Sequence, residues 1–273
     1  MRAAASAATA RWRTVVSAAV SSLTLGVAGC ASHGFIRPEG PSRTIADASA
    51  LWQQASAPCQ SLTTYQTQLQ LSGRVSDQPM GSLTVGVVAT RAGEIGLEAR
   101  ASGSSAFVLG GRADRATLWL ASSRRVVVDR ADAIVDALVG LPWDPERLMA
   151  VLSGCVTFAG RATDAREYDG GITALRFSGG DDVYVETIAG RSSVRAAVVD
   201  GVVIDYRRAE SGWPQQIALR SEPGRSPSVS LSMRIDVAVP DPAANPDQFA
   251  VAIPPGASPM SIDELRASGP RGR

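Results

Sequence analysis

Between residues 69 and 128 the chain alternates apolar and polar positions in short runs. Leu69 and Leu71 are spaced by polar residues, and Leu83, Val85, Val87 and Ala89 alternate with Thr84, Gly86, Val88 and Thr90. Ile95 and Leu97 lie between Glu94 and Glu98, and runs at 107–109, 117–120 and 125–128 follow, punctuated by Gly, Ser and Asp. A period of two with such punctuation predicts short strands joined as antiparallel hairpins. At Ala131 the period changes: Ile134, Ala137, Leu138 and Leu141 have helical spacing, with Gly140 as a stop. Asp144 and Pro145 are a cap and a first-turn proline for a second helix, which runs through Leu148, Val151 and Leu152 to Gly154. Strands then resume at 172–177, 183–188, 194–199, 202–207, 215–220 and 229–237. A helix over 47–65, interrupted at Pro58, is expected to precede the first sheet. In the tail, Phe249, Val251 and Ile253 suggest a last strand. There Ser261 with Glu264 forms a capping box for a short helix stopped by Gly269.

Ten or more sequential strands around one helical insertion predict a mostly β, α+β fold: a strongly curved antiparallel sheet with helices on its concave side. Each of four successive strands turns one aliphatic face inward. Leu83, Val85 and Val87 come from the first, Ile95 and Leu97 from the second, Phe107 and Leu109 from the third, Leu118 and Leu120 from the fourth. Leu138, Leu141, Trp143, Leu148 and Leu152 on the helical block would close over them. Aromatic residues are only 5% of the chain, so this lining suits either a packed aliphatic core or a ligand cavity. Trp119 and Trp143 are the aromatics that could touch a ligand; core packing is the plainer role for both.

The first thirty residues do not read as the start of a fold. Arg2, Arg11 and Arg13 precede a run of small and apolar residues, shorter than the ~20 residues a membrane span needs but suited to a signal peptide. The run ends Leu25-Gly26-Val27-Ala28-Gly29-Cys30, which resembles the lipobox of bacterial lipoproteins, so Cys30 is the expected acylated N-terminus of the mature chain. Two or more acyl chains anchor a protein stably. Ala31 and Ser32 after it, with no Asp, imply outer-membrane sorting and a periplasmic-facing protein. The organisation expected is a signal peptide over 1–29, a flexible tether over 30–46, the half-barrel domain over 47–239 and a Pro-rich tail over 240–273. Export to an oxidising compartment makes Cys59 and Cys155 a candidate disulfide, since their spacing fits no metal or CxxC pattern.

The chemistry on offer is sparse. All 27 basic residues are arginine, 26 acids nearly cancel them, and the net charge of +1 gives no field for nucleic acid. The one histidine, His33, excludes a histidine triad in the body of the chain. Asp181-Asp182, Glu210 and Asp263-Glu264 sit beside turns or at a helix start, where solvated carboxylates belong. Arg124-Arg125 and Arg207-Arg208 flank strands as edge or surface charges. No phosphate loop, dinucleotide fingerprint or nucleophile elbow occurs. No catalytic residue, metal site or cofactor is therefore expected, and the protein is read as not an enzyme.

The motifs Leu71-Ser72-Gly73-Arg74-Val75 and Glu94-Ile95-Gly96-Leu97-Glu98, the Gly103-Ser104 step, and Ala137-Leu138-Val139-Gly140-Leu141-Pro142 followed by Leu148 and Leu152-Ser153-Gly154 carry a resemblance. It is to the LolA/LolB-like superfamily of lipoprotein carriers and receptors, with the LolB-like outer-membrane receptors the nearer pattern. The resemblance implies an incomplete β-barrel capped by helices around a hydrophobic cavity for acyl chains. Acyl chains or lipoproteins become the implied cargo, with a periplasmic carrier or an envelope complex as a candidate partner. One stretch departs from the pattern. Where the receptors carry a protruding loop with an exposed leucine, this chain has Ala99-Arg100-Ala101-Ser102, which favours general lipid or lipopeptide binding over membrane insertion of cargo. The alternative class is a structural accessory lipoprotein with a packed core and no ligand.

Overall fold

The structure is a computed structural model, and it describes residues 34–76 and 78–268. Cys30, the signal peptide and Gly269 lie outside the described residues. Among the described residues, sixteen strands form one large curved sheet that does not close. One half is built from β2 (Thr64–Val75), β3 (Gln78–Pro79), β4 (Leu83–Thr90), β5 (Glu94–Ala101), β6 (Ser104–Arg112), β7 (Ala116–Leu120) and β8 (Arg125–Asp129). The other half runs through β9 (Ala162–Tyr168), β10 (Ile172–Phe177), β11 (Asp182–Ile188), β12 (Arg191–Val199), β13 (Val202–Arg208), β14 (Pro214–Ser221) and β15 (Val229–Pro240). Each half is an antiparallel meander, and the two are welded by β15 pairing with β2 along their length, Met233 opposite Leu71 and Ile235 opposite Leu69. Short strands end the sheet on both sides: β1 (Ser42–Thr44) on β9, and β16 (Ser258–Pro259) on β8, the latter in parallel. Short terminal strands limit how much unpaired edge is offered to another chain.

The helices sit where local chemistry starts and stops them. Asp47 caps α1 (Ala48–Ser56) through the Ala50 amide at 2.8 Å. Asp144 caps α3 (Pro145–Ser153) through the Arg147 amide at 2.7 Å, a contact worth about 1 kcal/mol. Both α2 (Ala131–Val139) and α3 end on a glycine, Gly140 and Gly154, at φ 71°, a conformation that suits glycine as a helix stop. The expected helix over 47–65 is shorter than its apolar spacing suggested. A 3-10 turn at Ala57–Cys59 ends it, and Tyr65 belongs to β2 with its side chain in the core.

Helix α1 packs on β9 and β12, whereas α3 packs on β2, β4, β5 and β14. The two ends of the concave side are filled differently. Under α1, Trp52, Phe158 and Phe177 form a cluster with ring centroids 4.7–5.3 Å apart. Under α2 and α3 the filling is aliphatic. Helix α4 (Ile262–Ser268) begins with the expected Ser261–Glu264 box and lies against α2 and β8, with Leu265 fully buried.

Three further expectations are corrected, and one strand, β9, is added that the sequence did not announce. The segment 34–46, read as part of a flexible tether, is packed: the Phe35 amide donates to Asp205 at 2.7 Å, its ring lies on Tyr184, and residues 42–44 pair with β9. Phe249, Val251 and Ile253 form no strand; Pro246–Phe249 is a 3-10 turn seated on β5 and β6. That seat needs glycine. A Cβ on Gly96 would stand 2.0 Å from the Gln248 carbonyl oxygen, and one on Gly110 2.7 Å from that of Phe249. β9 carries no large apolar alternation; alanines at 162 and 165 face the core there. Finally, Arg208 is no surface charge, since it reaches inward to the carbonyls of Val194, Gly154 and Gly212.

Candidate functional site

The inward faces of β14, β15, β2, β4, β5 and β6 converge beneath α2 and α3. They leave a cavity of about 90 Å³ lined only by apolar side chains. Its floor is Leu69 and Leu71 of β2, Val85 and Val87 of β4, Leu97 of β5, and Phe107 and Leu109 of β6. Leu219, Leu231 and Met233 form the far wall, and Val135, Leu138, Val139, Leu141, Trp143, Leu148, Val151 and Leu152 the roof. Leu71, Leu97, Val139 and Leu148 are half-buried while the other lining side chains are buried, so the cavity meets solvent at these four.

Of the lining residues expected from sequence, ten are brought together here: Val85, Val87, Leu97, Phe107, Leu109, Leu138, Leu141, Trp143, Leu148 and Leu152. Four are core residues that do not border the void. Leu83 begins β4, and Ile95 pairs with Ala89 near its other end, so both flank a cavity centred on the middle of the strand. Leu118 and Leu120 lie on β7, against which α2 packs, leaving them no free space. Trp119 alternates with them, projects from the opposite face and does not line the cavity. The far wall escaped the sequence reading although its signal was present. Leu231 and Met233 alternate with Ser230, Ser232 and Arg234, but nothing local indicates that β15 closes onto β2.

The roof is tied down at several points. The Tyr206 hydroxyl donates to the Val151 carbonyl at 3.0 Å, holding α3 to β13. Arg225 donates to the Gly140 carbonyl at 3.0 Å, at the end of α2. Arg208 reaches the Gly154 carbonyl at 3.2 Å, and Arg266 pairs with Asp136 on α2 at 3.1 Å. Cys155, just after α3, is bonded to Cys59 with Cα atoms 5.4 Å apart. Burial pushes the Tyr65 phenol up to about 12 and raises that of Tyr206 as well, so both stay neutral at ordinary pH. The same burial lowers the Arg208 guanidinium from its usual range. Between the two tied helices lies the linker with Leu141 and Trp143, which contributes two roof residues.

A second, larger cleft of about 380 Å³ lies beside the disulfide, lined by Trp52, Leu62, Arg91, Glu146, Met149 and Phe158 among others. Its wall is part polar, and Arg91 is engaged with the carbonyls of Cys59 and Gln60 at 2.9 and 3.1 Å. For a hydrocarbon chain the smaller, wholly apolar cavity is the better chemical match, and chemistry rather than size decides between them. The hairpin between β5 and β6 turns tightly over Ser102 and Gly103, at φ 49° and 83°, with no protruding loop. No helix among the described residues is long and apolar enough to cross a membrane.

No family model matches the chain, and no curated protein matches it in sequence. Solved structures do. A LolA superfamily protein from Nitrosomonas europaea aligns over 75% of this chain and 97% of its own, at 9% identity and a TM-score of 0.50. A Vibrio parahaemolyticus domain described as an outer membrane lipoprotein-sorting protein covers 73% and 94%, at 9% identity and a TM-score of 0.43. The Mycobacterium tuberculosis lipoprotein LppX covers 69% and 93%, at 10% identity and a TM-score of 0.30. At 9% identity the likeness to the Nitrosomonas europaea protein is one of fold alone. The chain has a LolA/LolB-like fold.

Proposed function

We propose that this protein is a lipid-anchored envelope protein that takes acyl chains, free or as part of a lipoprotein, into the cavity beneath α2 and α3. The observation that carries the reading is the wall of that cavity, apolar throughout and open at a rim of four aliphatic side chains. Burying each methylene there contributes ~0.8 kcal/mol. An anchor at Cys30 and an outer-membrane, periplasm-facing location complete the proposal. They rest on the sequence around Cys30, and the described residues begin after it.

Size sets a condition. A dry cavity of roughly 150 Å³ accommodates one benzene, and ligand sites usually run to ~300–1,000 Å³. At about 90 Å³ the cavity as it stands holds a fragment of a chain. A whole acyl chain therefore requires the roof to lift. The small volume also favours the second reading, an accessory lipoprotein whose core is simply packed.

Binding separates the two. Displacement of an apolar fluorescent probe by long-chain acyl ligands should be seen with the wild type. It should be lost in Val85→Trp, which fills the floor, and Leu97→Trp, which fills the rim. Overpacking costs ~1–3 kcal/mol, so both variants should remain folded by circular dichroism. Equal binding by all three proteins, or by none, selects the packed-core reading.

A further inference from the structure

The segment ahead of α1 is fixed to the side of the sheet that the cavity does not use. Phe35 lies on Tyr184 and packs with Ala196 and Val198, and Val203 borders the same cluster. These positions alternate with Val183, Ala197 and Ile204 of the main core, so they belong to the outer, convex face of β11, β12 and β13. The clamp on Phe35 is polar as well as apolar. Its amide donates to the buried Asp205, which also pairs with Arg195, and its carbonyl accepts from Arg220 at 3.1 Å. Arg37 pairs with Glu222, and residues 42–44 add to β9. Held at both ends, residues 35–44 cannot act as a leash. Next to the buried Phe35, Ile36 is 75% exposed, more than any other large apolar side chain among the described residues. Arg207 and Arg220 stand on the same face, exposed, and enter no ion pair among the described residues.

Resting on the Cys30 anchor proposed above, we propose that the outer face of β12, β13 and β14 around Phe35 and Ile36 is the surface that meets the bilayer, with the cavity turned away from it. From Cys30 to Phe35 the chain advances five residues, a reach of at most about 17 Å when fully extended. An acylated Cys30 lies at the headgroup level, so Phe35 stays within that reach of the membrane. An exposed isoleucine beside two arginines suits such a surface: the apolar side chain enters the interface and the guanidinium groups meet lipid phosphates. Helices α2 and α3 lie across the sheet from this face, and with them the rim at Leu71, Leu97, Val139 and Leu148. Cargo then enters and leaves from the aqueous side, rather than passing straight between the cavity and the anchoring bilayer.

The test uses the full acylated chain, taken from membranes into phosphatidylethanolamine–phosphatidylglycerol vesicles that carry a radiolabelled phospholipid. Photoreactive p-benzoylphenylalanine replaces Ile36 or, on the exposed side of α3, Glu146. Apolar side chains at a membrane surface sit ~5–10 Å into the headgroup boundary, whereas position 146 lies beyond a helix layer of about 10–12 Å. Lipid adduct at 36 should therefore exceed that at 146 by about tenfold. An insert of about ten Gly and Ser residues between Ser32 and His33 lengthens the reach by roughly 17 Å and should lower that ratio severalfold. Equal adduct at the two positions, protein rather than lipid adducts at 36, or a ratio that the insert leaves unchanged overturns the proposal while the acyl anchor stands. A mature chain with no acyl group on its N-terminal peptide overturns the anchor, and this proposal with it.

Discussion

Two buried tyrosines make opposite demands on the fold. Tyr206 donates to the Val151 carbonyl, so its hydroxyl is satisfied; the Tyr65 hydroxyl is buried without a partner. Tyr206→Phe should therefore cost about 1 kcal/mol in denaturant unfolding at pH 7, and Tyr65→Phe should be neutral or stabilising. Burial holds both phenols above their ordinary value of 10.0. A folded-state value raised above the unfolded one gives stability that is fully present below the unfolded value and lost as pH rises. Stability should thus fall from about pH 10 upward as unfolded phenols ionise and folded ones do not, and Tyr206→Phe should flatten that fall. An unchanged alkaline slope would contradict the burial assigned to Tyr206. At this scale the sequence was most legible where partners are close in the chain: Asp144 with Arg147, Ser261 with Glu264, Gly140 and Gly154 as stops. Arg208 was misread because its role depends on Gly154, 54 positions away.

The elements followed the hydrophobic period where that period is strong, and departed from it where tertiary packing replaced it. β4, β5 and β15 alternate large apolar and polar residues and were visible. β9 was missed, because its core-facing positions are Ala162 and Ala165 and α1 packs on that strand. The segment from Gly34 to Thr44 looked like a tether because its one large buried residue, Phe35, has partners on β11 and β12 rather than in its own neighbourhood. Phe249 and Val251 looked like a strand, yet the approach of that turn to Gly96 and Gly110 fixes its shape. The cross-link between the 3-10 turn after α1 and the residue after α3 spans 96 positions, so in the chain-entropy model it stabilises by about 4–5 kcal/mol. Changing Cys59 and Cys155 together to alanine, or reducing them, should lower the denaturant midpoint accordingly. A midpoint insensitive to reductant, or thiol labelling of both residues in oxidised protein, would contradict it.

On the scale of the whole molecule, one curved sheet is filled by aromatics at one end and by aliphatics at the other. Trp52, Phe158 and Phe177 stack together at the α1 end, beside a cleft with a part-polar wall, whereas leucine and valine beneath α2 and α3 leave a wholly apolar cavity. Hairpin order made the near side of that cavity legible, because β4, β5 and β6 are consecutive. Its far side depends on β15 meeting β2, a pairing that joins residues more than 150 positions apart and has no local signature. The central proposal is that this cavity takes up an acyl chain. Native mass spectrometry of the protein extracted from membranes tests it most directly, with the denatured mass reading covalent acylation at Cys30 separately. The account predicts a species heavier than the denatured chain by one non-covalently held acyl lipid in the wild type, and its absence in Val85→Trp. Wild-type protein that flies at its bare mass, indistinguishable from Val85→Trp, would contradict it.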